Sequence, residues 1–220
     1  MKINAIITGT TGMVGEGVLK EALLNPNIEN ILVINRRPCK VTHPRLTEIL
    51  YSDFFNLTPL SEKLKGYNAC FFCLGVSSVG MKEDLYYSLT YILTMHVAEL
   101  LSRLNPEMTF CYVSGAGTDS TESGKLNWAR VKGKTENALM KLPFKGVYAF
   151  RPGFIEPLKD AKNVKPVYKA LFFLIPLVRF FAPKAVLSLS EIGRAMINVS
   201  ISGYEKHILE IQDIKILAKR

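Results

Sequence analysis

The stretch TGTTGMVG, residues 8–15, decides the fold of this chain. It follows an apolar run over residues 3–8, which predicts a short buried strand. It leads into an amphipathic segment over residues 13–24, which predicts a helix that stops at the Asn-Pro pair beyond it. A strand, a glycine-rich turn and a helix in this order are typical of a nucleotide-binding βαβ unit.

The three glycines of the stretch suit a loop that holds phosphates. Gly9 permits the tight turn, Gly12 lets the backbone approach a pyrophosphate, and Gly15 allows the helix to pack on the strand. Free N–H groups at the helix start then bind the phosphates. The alternative is a tight turn without a ligand. We expect dinucleotide binding by the whole loop: Gly9, Thr10, Thr11, Gly12, Met13, Val14 and Gly15.

Short apolar runs alternate with longer amphipathic segments along the chain, which predicts a parallel sheet covered by helices on both faces. We therefore expect an α/β fold with a single doubly wound domain of Rossmann type over residues 1–220. Residues 1–155 form its cofactor-binding core, and residues 156–220 form a small C-terminal region that covers the cleft on the substrate side. Further strands are expected at residues 31–35, 46–51, 69–74, 108–113, 146–150 and 207–211, and further helices at 82–104, 126–142 and 191–199, the last capped by Ser190.

Composition and charge limit the classes of protein and partner. At 220 residues, 48% hydrophobic and 21% charged, the chain can bury a core and is neither disordered nor collagen-like. Its 28 Lys and Arg exceed its 19 Asp and Glu, and the net charge of +9 favours an anionic partner such as a phosphorylated cofactor. Nucleic-acid binding is not expected, because no element that reads bases accompanies the charge.

The glycine spacing, G-x-x-G-x-x-G, resembles the extended and atypical branches of the short-chain dehydrogenase/reductase superfamily. In dinucleotide-binding folds an acidic residue about 20 positions further on holds the ribose 2′-hydroxyl of NAD. This chain has VINRR at residues 33–37, without a carboxylate. Arg36 and Arg37 suit a 2′-phosphate, since guanidinium donors match phosphate oxygens. NADP(H) is therefore favoured over NAD(H), with two solvent-facing arginines as the alternative.

Three further stretches resemble the family's cofactor site. Ser-Asp-Phe at residues 52–54 matches the place of an aspartate that approaches the adenine and a hydrophobic residue that lines its pocket. Residues 73–77 match the backbone under the adenosine ribose, and Arg-Pro-Gly-Phe at residues 151–154 matches a segment that reaches the nicotinamide. The resemblance implies cofactor contacts by Asp53, Phe54, Leu74, Gly75, Pro152, Gly153 and Phe154.

The catalytic elements of the family are matched except at one position. Ser114, at the end of the fifth strand, resembles the catalytic serine, and residues 128–132 resemble the Tyr-x-x-x-Lys element. The spacing of four places Trp128 and Lys132 on one helix face. By resemblance, Lys132 binds the nicotinamide ribose. Trp128 stands where the family has its proton-relaying tyrosine, and an indole does not titrate in the working range.

Other side chains near these elements are candidates for the proton relay. Tyr112 lies on the strand that leads to Ser114, Tyr87 and Tyr91 lie on the long helix, and Asp119 follows the serine loop. The sequence does not choose among them. Two functions are therefore considered: an NADP(H)-dependent oxidoreductase or epimerase acting on a small carbonyl or hydroxyl substrate, and a non-catalytic NADP(H)-binding sensor or interaction protein.

The apolar segment over residues 167–182 is too short for a membrane span and is broken by charges and a proline. We expect it to cover the substrate cleft, with weak contact with a membrane surface as the alternative. A cytoplasmic location is expected, because no signal sequence is recognised at the start. Cys70 and Cys73 form C-x-x-C on a strand, where they point to opposite faces, so neither a metal site nor a disulfide is expected.

Overall fold

Seven parallel strands form the central sheet in the computed structural model, which describes residues 2–156 and 185–220. A 3₁₀ turn, Thr58–Leu64, precedes the fourth strand, and a π-helical turn, Ser88–Ile92, joins the second helix to the third. The strands and helices are, in chain order, β1 (Ile3–Thr8), α1 (Met13–Leu24), β2 (Ile28–Asn35), β3 (Leu46–Leu50), β4 (Ala69–Phe72), α2 (Glu83–Tyr87), α3 (Leu93–Leu104), β5 (Thr109–Val113), α4 (Asn127–Leu139), β6 (Gly146–Phe150), β7 (Phe154–Glu156), β8 (Val186–Ser188), α5 (Leu189–Ser202), β9 (Ile208–Leu209) and α6 (Ile211–Leu217).

The strand order of the sheet is β3-β2-β1-β4-β5-β6-β9, and a separate parallel pair is formed by β7 and β8. From β1 the chain runs outward through β2 to β3, and it then returns to β4 on the other side of β1. The connections therefore diverge between β1 and β4 at the carboxyl ends of these strands, where open α/β sheets bind their ligands. The predicted α/β class with a doubly wound parallel sheet is confirmed.

Alternate side chains of the central strands enter two hydrophobic clusters, one on each face of the sheet. Ile3, Ala5 and Ile7 pack with side chains of α1, α5 and α6, whereas Ile6 packs with α3 and the 3₁₀ turn. The same alternation separates the two cysteines of the C-x-x-C pattern, with one against each cluster, as predicted. Because both faces are covered, a ligand reaches the sheet at the ends of its strands.

The predicted long helix is present, but it is not α-helical throughout. The π-helical turn separates α2 from α3 while the backbone stays helical, so the rod as a whole runs close to the expected residues 82–104. The helix expected over residues 126–142 ends at Leu139, three residues early, where the chain turns before β6. These differences move boundaries and leave the order of elements unchanged.

The C-terminal part corrects two predictions. The helix expected over residues 191–199 is α5, and Ser188 rather than Ser190 caps it: the Ser188 hydroxyl accepts from the Glu191 amide at 3.1 Å, and the Glu191 carboxylate accepts from the Ser188 amide at 2.7 Å. The strand expected over residues 207–211 shrinks to Ile208–Leu209. It gives way to α6, which was not predicted and whose start is fixed by a capping box between Glu210 and Asp213.

None of the helices in the described part of the chain has the length and apolar character that a bilayer crossing requires. The apolar segment over residues 167–182, predicted to cover the cleft or to contact a membrane surface, lies outside the described residues. The division into a cofactor-binding core over residues 1–155 and a cleft-covering region over residues 156–220 therefore remains a prediction. The described residues beyond the gap, 185–220, complete both the parallel β7–β8 pair and the edge of the main sheet.

Gly133 allows the loop after β5 to pack on α4, because a Cβ there would lie 1.8 Å from the Asp119 carbonyl oxygen. We expect Gly133→Ala to lower the free energy of unfolding by roughly 1–3 kcal/mol, since displacing backbone outweighs the gain in helix propensity of about 1 kcal/mol. Urea unfolding measures this. Gly75→Ala is the control, since nothing lies within 4 Å of its added Cβ. A Gly133→Ala protein as stable as the wild type would contradict this packing.

Candidate functional site

The loop after β1 passes too close to the end of β4 to carry a side chain at Gly9. The φ angle of Gly9 is +73°, and an added Cβ would lie 2.7 Å from the Cys73 carbonyl oxygen. A Cβ on Gly15 would lie 2.2 Å from the Gly9 carbonyl oxygen, so the first turn of α1 packs directly on the loop. Both positions therefore require glycine for steric reasons.

The start of α1 offers backbone donors at the carboxyl edge of the sheet. Gly12 is the N-cap, and no side chain caps the helix there. The first helical hydrogen bond runs from the Glu16 amide to the Gly12 carbonyl oxygen at 2.9 Å, so the amides of Met13, Val14 and Gly15 precede it. Such amides, together with the helix dipole, form a site for a phosphate group. An exposed Gly12 leaves this end accessible.

The end of β2 is fixed by a buried amide rather than by an acid. The Asn35 side-chain nitrogen donates to the Thr10 hydroxyl oxygen at 2.7 Å and to Glu48 Oε1 at 2.8 Å. Arg36 and Arg37 follow immediately and are both exposed. The Thr10 hydroxyl oxygen accepts the hydrogen bond from Asn35 and keeps its own O–H as a donor. Sequence reasoning missed Glu48, because it lies on β3 and approaches Asn35 only through the pairing of β2 with β3.

Asp53 and Phe54, the two residues expected beside the adenine, differ in exposure. Asp53 is exposed, and its Oδ1 accepts a hydrogen bond from the Phe55 amide at 3.0 Å. Phe54 is 3% exposed and belongs to the cluster on the α3 face, so its ring contributes to the core. Phe55 is the exposed ring of this turn and packs edge-on against His96, with 6.3 Å between ring centroids.

The segments after β4 and β6 reach the same edge of the sheet. Gly75 has open space beside it, and Leu74 packs against the α3-side cluster. The Pro152 carbonyl oxygen accepts from the Ala116 amide at 2.8 Å, which joins this segment to the serine loop. A Cβ on Gly153 would lie 2.7 Å from the Ile211 side chain, and Phe154 is 44% exposed.

Ser114 and Lys132 meet at the carboxyl end of β5. The Lys132 ammonium donates a hydrogen bond to the Ser114 carbonyl oxygen, and the Ser114 hydroxyl donates to the Phe150 carbonyl oxygen at 3.1 Å. Burial lowers the pKa of Lys132 to about 8, and the Glu136 carboxylate one helical turn away opposes this shift. The structure therefore brings together two of the three predicted catalytic residues through a direct contact.

Trp128 lies one turn before Lys132 on α4 and is half-buried. The edge of its indole ring lies 3.5 Å from the Cβ position of Gly117, so the ring packs on the loop that begins with Ser114. An indole N–H donates a hydrogen bond but does not exchange a proton near neutral pH. A serine, a lysine and an indole thus lie around the loop that follows β5.

The four candidates for the proton relay differ in their surroundings. Tyr112 is 2% exposed in the core, and burial raises its pKa well above the usual value. Tyr87 and Tyr91 stack on each other at 5.0 Å, with the Lys134 ammonium 5.1 Å from each ring centroid. The Asp119 carboxylate accepts from the Thr121 hydroxyl and the Gly124 amide, and these hydrogen bonds lower its pKa.

A buried ion pair joins the end of β6 to α4 and was not predicted. The Arg151 guanidinium donates to both carboxylate oxygens of Glu136, at 3.1 and 2.5 Å, and to Glu210 at 3.2 Å. It also donates to the Ser120 hydroxyl at 2.6 Å. Glu136 is 1% exposed, so its charge is balanced inside the protein by this bidentate contact. In the sequence, Arg151 is recognised only as part of the Arg-Pro-Gly-Phe stretch, and Glu136 is marked only by its spacing of four from Lys132.

Comparison with known families gives a match over more than half of the chain. The model of the NAD dependent epimerase/dehydratase family matches residues 5–127, which include the glycine loop, β2 to β5 and the serine loop. Trp128 and Lys132 lie just beyond the matched range.

Two curated proteins and one solved structure illustrate the similarity. Leucinostatins biosynthesis cluster protein T of Purpureocillium lilacinum is 26% identical over 235 residues, covering 91% of this chain and 86% of that protein. Protein FMP52, mitochondrial, of Debaryomyces hansenii is 28% identical over 154 residues, covering 69% and 66%. The Bordetella bronchiseptica enzyme WbmF, solved in complex with NAD+, superposes with a TM-score of 0.69 at 13% identity, covering 99% of this chain and 77% of WbmF. At that identity the superposition shows the fold.

The lowered pKa of Lys132 predicts a pH-dependent stability difference. Between pH 8 and the ordinary lysine value of 10.5 the unfolded chain binds a proton that the folded chain does not, so this residue makes stability rise with pH. We expect Lys132→Met to abolish that rise. Relative to the variant, the wild type should gain roughly 1–3 kcal/mol between pH 7.5 and 10. Denaturant unfolding at each pH measures the difference, with the exposed Lys141→Met as control. A constant difference across this interval would contradict a buried Lys132 ammonium.

Proposed function

The chain belongs to the NAD dependent epimerase/dehydratase family, and we propose that it is an NADP(H)-dependent oxidoreductase or epimerase that acts on a small carbonyl or hydroxyl compound. One observation carries this proposal: the uncapped start of α1 and the Ser114–Lys132 contact lie at the same carboxyl edge of one parallel sheet. A dinucleotide extended along that edge has its phosphates at one point and its nicotinamide at the other. WbmF, which shares the fold, holds NAD+.

The residues present fit a dinucleotide. Met13, Val14 and Gly15 supply amides for the pyrophosphate, and Gly12 leaves the approach open. Asp53 is exposed and holds the Phe55 amide through one carboxylate oxygen, and Gly75 leaves space beside β4 for the adenosine. When bound, the dinucleotide supplies a hydride donor or acceptor at its nicotinamide ring. The protein's part is to bind it, to orient it and to handle a proton.

NADP(H) rather than NAD(H) is proposed because positive charge stands where an NAD site has its acid. Asn35 ends β2 and has its amide group turned to Thr10 and Glu48. Arg36 and Arg37 are exposed at the next two positions and present guanidinium donors that match a 2′-phosphate. The net charge of +9 acts in the same direction, since it attracts a cofactor that carries an additional phosphate.

Ser114 and Lys132 are proposed to act at the nicotinamide end. The Lys132 ammonium binds the ribose hydroxyls, and the Ser114 hydroxyl polarises the substrate oxygen after leaving the Phe150 carbonyl oxygen. Pro152, Gly153 and Phe154 form the adjoining wall. With a pKa of about 8, Lys132 itself is able to exchange a proton near neutral pH, which the indole of Trp128 cannot do.

A second function, binding of NADP(H) as a sensor or as part of an interaction, is favoured by one specific observation. Trp128 packs against the serine loop at the position of the family's tyrosine, and Tyr112 is sealed in the core. A small-molecule substrate is proposed for the first function only. The expected cytoplasmic location stays a prediction, since the Debaryomyces relative is named mitochondrial.

The cofactor preference is tested by replacing both Arg36 and Arg37 with Ala. We expect NADPH binding to weaken by roughly 1.5–3 kcal/mol, the scale of hydrogen bonds to charged groups, while NADH binding changes little. Calorimetric titration with each cofactor measures this. The matched control is Arg103→Ala with Arg194→Ala, which removes the same charge from exposed positions on α3 and α5. Equal losses for NADPH and NADH would refute the selection.

The role of position 128 is tested with Trp128→Tyr, which restores the family's side chain beside Lys132. We expect carbonyl-reductase activity with NADPH to appear or rise on at least one aldehyde, quinone or sugar nucleotide, because a phenol can relay a proton. NADPH affinity should stay within a few-fold, measured by titration. Lys132→Ala should instead weaken NADPH binding and remove any activity. If Trp128→Tyr destroys an existing activity in a folded protein that still binds NADPH, the indole belongs to the mechanism and the proposed scheme fails.

A further inference from the structure

The carboxylate of Glu48 holds together two parts of the chain that border the proposed 2′-phosphate position. Glu48 Oε1 accepts a hydrogen bond from the Asn35 side chain at 2.8 Å and another from the Cys39 amide at 2.8 Å. Asn35 is the last residue of β2, and Cys39 lies four residues further on. One oxygen atom of β3 thus fixes both ends of the turn formed by residues 36–38, which carries Arg36 and Arg37.

The same arrangement reaches the glycine loop. The second proton of the Asn35 amide goes to the Thr10 hydroxyl oxygen at 2.7 Å, so a single buried amide links the glycine loop to β3. Asn35 is 3% exposed and Thr10 is 2% exposed, and the Asn35 carbonyl oxygen accepts from the Tyr51 amide at 2.8 Å. The hydrogen bond between Asn35 and Thr10 is buried, which makes it costly to break, and the one between Asn35 and Glu48 is partly buried.

Fixing this turn has a consequence for phosphate binding. A loop that must be ordered when its ligand arrives loses affinity by that ordering cost, whereas a loop fixed in advance does not. The backbone between Asn35 and Cys39 is anchored at both ends before any ligand binds, so only the arginine side chains remain to be ordered. Both hydrogen bonds end on Glu48 Oε1, so this one oxygen atom is committed to holding the turn.

We propose that Glu48 is a positioning residue that sets the preference for a 2′-phosphate by holding the Arg36–Arg37 turn, an inference that rests on the proposed binding of NADP(H). It acts through Asn35 and the Cys39 amide and does not touch the cofactor. Removing its acceptor oxygen loosens the turn and weakens the binding of the phosphorylated cofactor, while the pyrophosphate contacts at the start of α1 are retained.

The test compares Glu48→Leu, which keeps the bulk and removes the acceptor, with Glu48→Gln, whose amide oxygen still accepts both hydrogen bonds. We expect Glu48→Leu to weaken NADPH binding by roughly tenfold and NADH binding by less than about twofold. Glu48→Gln should stay within about threefold of the wild type for both cofactors. Glu62→Leu, at an exposed position on the 3₁₀ turn, is the control for loss of a carboxylate. Calorimetric titration gives all affinities.

A double-mutant cycle separates positioning from a general loss of structure. In a protein with both Arg36→Ala and Arg37→Ala, adding Glu48→Leu should have no further effect on NADPH affinity, because the side chains that the turn positions are gone. Losses that multiply would overturn the proposal. A larger loss for NADH than for NADPH would identify Glu48 as the ribose acceptor and would overturn it as well. A wild-type protein that binds neither cofactor refutes the proposed function itself, whereas normal binding by a folded Glu48→Leu refutes only this inference.

Discussion

The close approach of the glycine loop to the backbone at the end of β4 is the constraint on which the carboxyl edge of the sheet depends. Gly9 lies against the Cys73 carbonyl oxygen, and the first turn of α1 lies against the carbonyl oxygen of Gly9 itself. These are contacts between backbone atoms, so no rearrangement of side chains can relieve a Cβ at either position. The loop, the start of α1 and the end of β4 therefore form one rigid corner at the point where the strand order diverges.

Buried polar groups extend from that corner in two directions. Toward β2, Asn35 connects Thr10 to Glu48. Toward the centre of the cleft, Lys132 contacts Ser114, and Glu136 is held by Arg151. Burial of charge is costly unless each group has a partner, and these partners come from different elements of the fold. The hydrogen bonds of Asn35 and Glu48 border the turn that carries the exposed Arg36 and Arg37. The contacts of Lys132 place its ammonium group at the end of β5.

The family model covers the glycine loop and the serine loop, and its match ends one residue before Trp128. Family membership and the glycine loop agree with each other, while Trp128 stands where the resemblance implies a tyrosine. The indole is not an accidental surface side chain, because it packs on the loop that starts at Ser114. Fold alone does not fix a reaction, and the proposed reaction depends on what Lys132 and Trp128 do together.

The sequence by itself determined the order of strands and helices from β1 to β6, the α/β class, the glycine loop after β1, and the places of Ser114 at the end of β5 and Lys132 on α4. These depend on periodicity and on spacing within one element or one turn. It placed the cap of α5 two residues late and missed α6, because short capping motifs compete with one another locally. Only the tertiary structure revealed Glu48 beside Asn35 and Arg151 beside Glu136. These pairs join residues 13 and 15 positions apart that meet through strand pairing and helix packing, and single-sequence patterns do not encode which distant polar groups must satisfy each other once water is excluded.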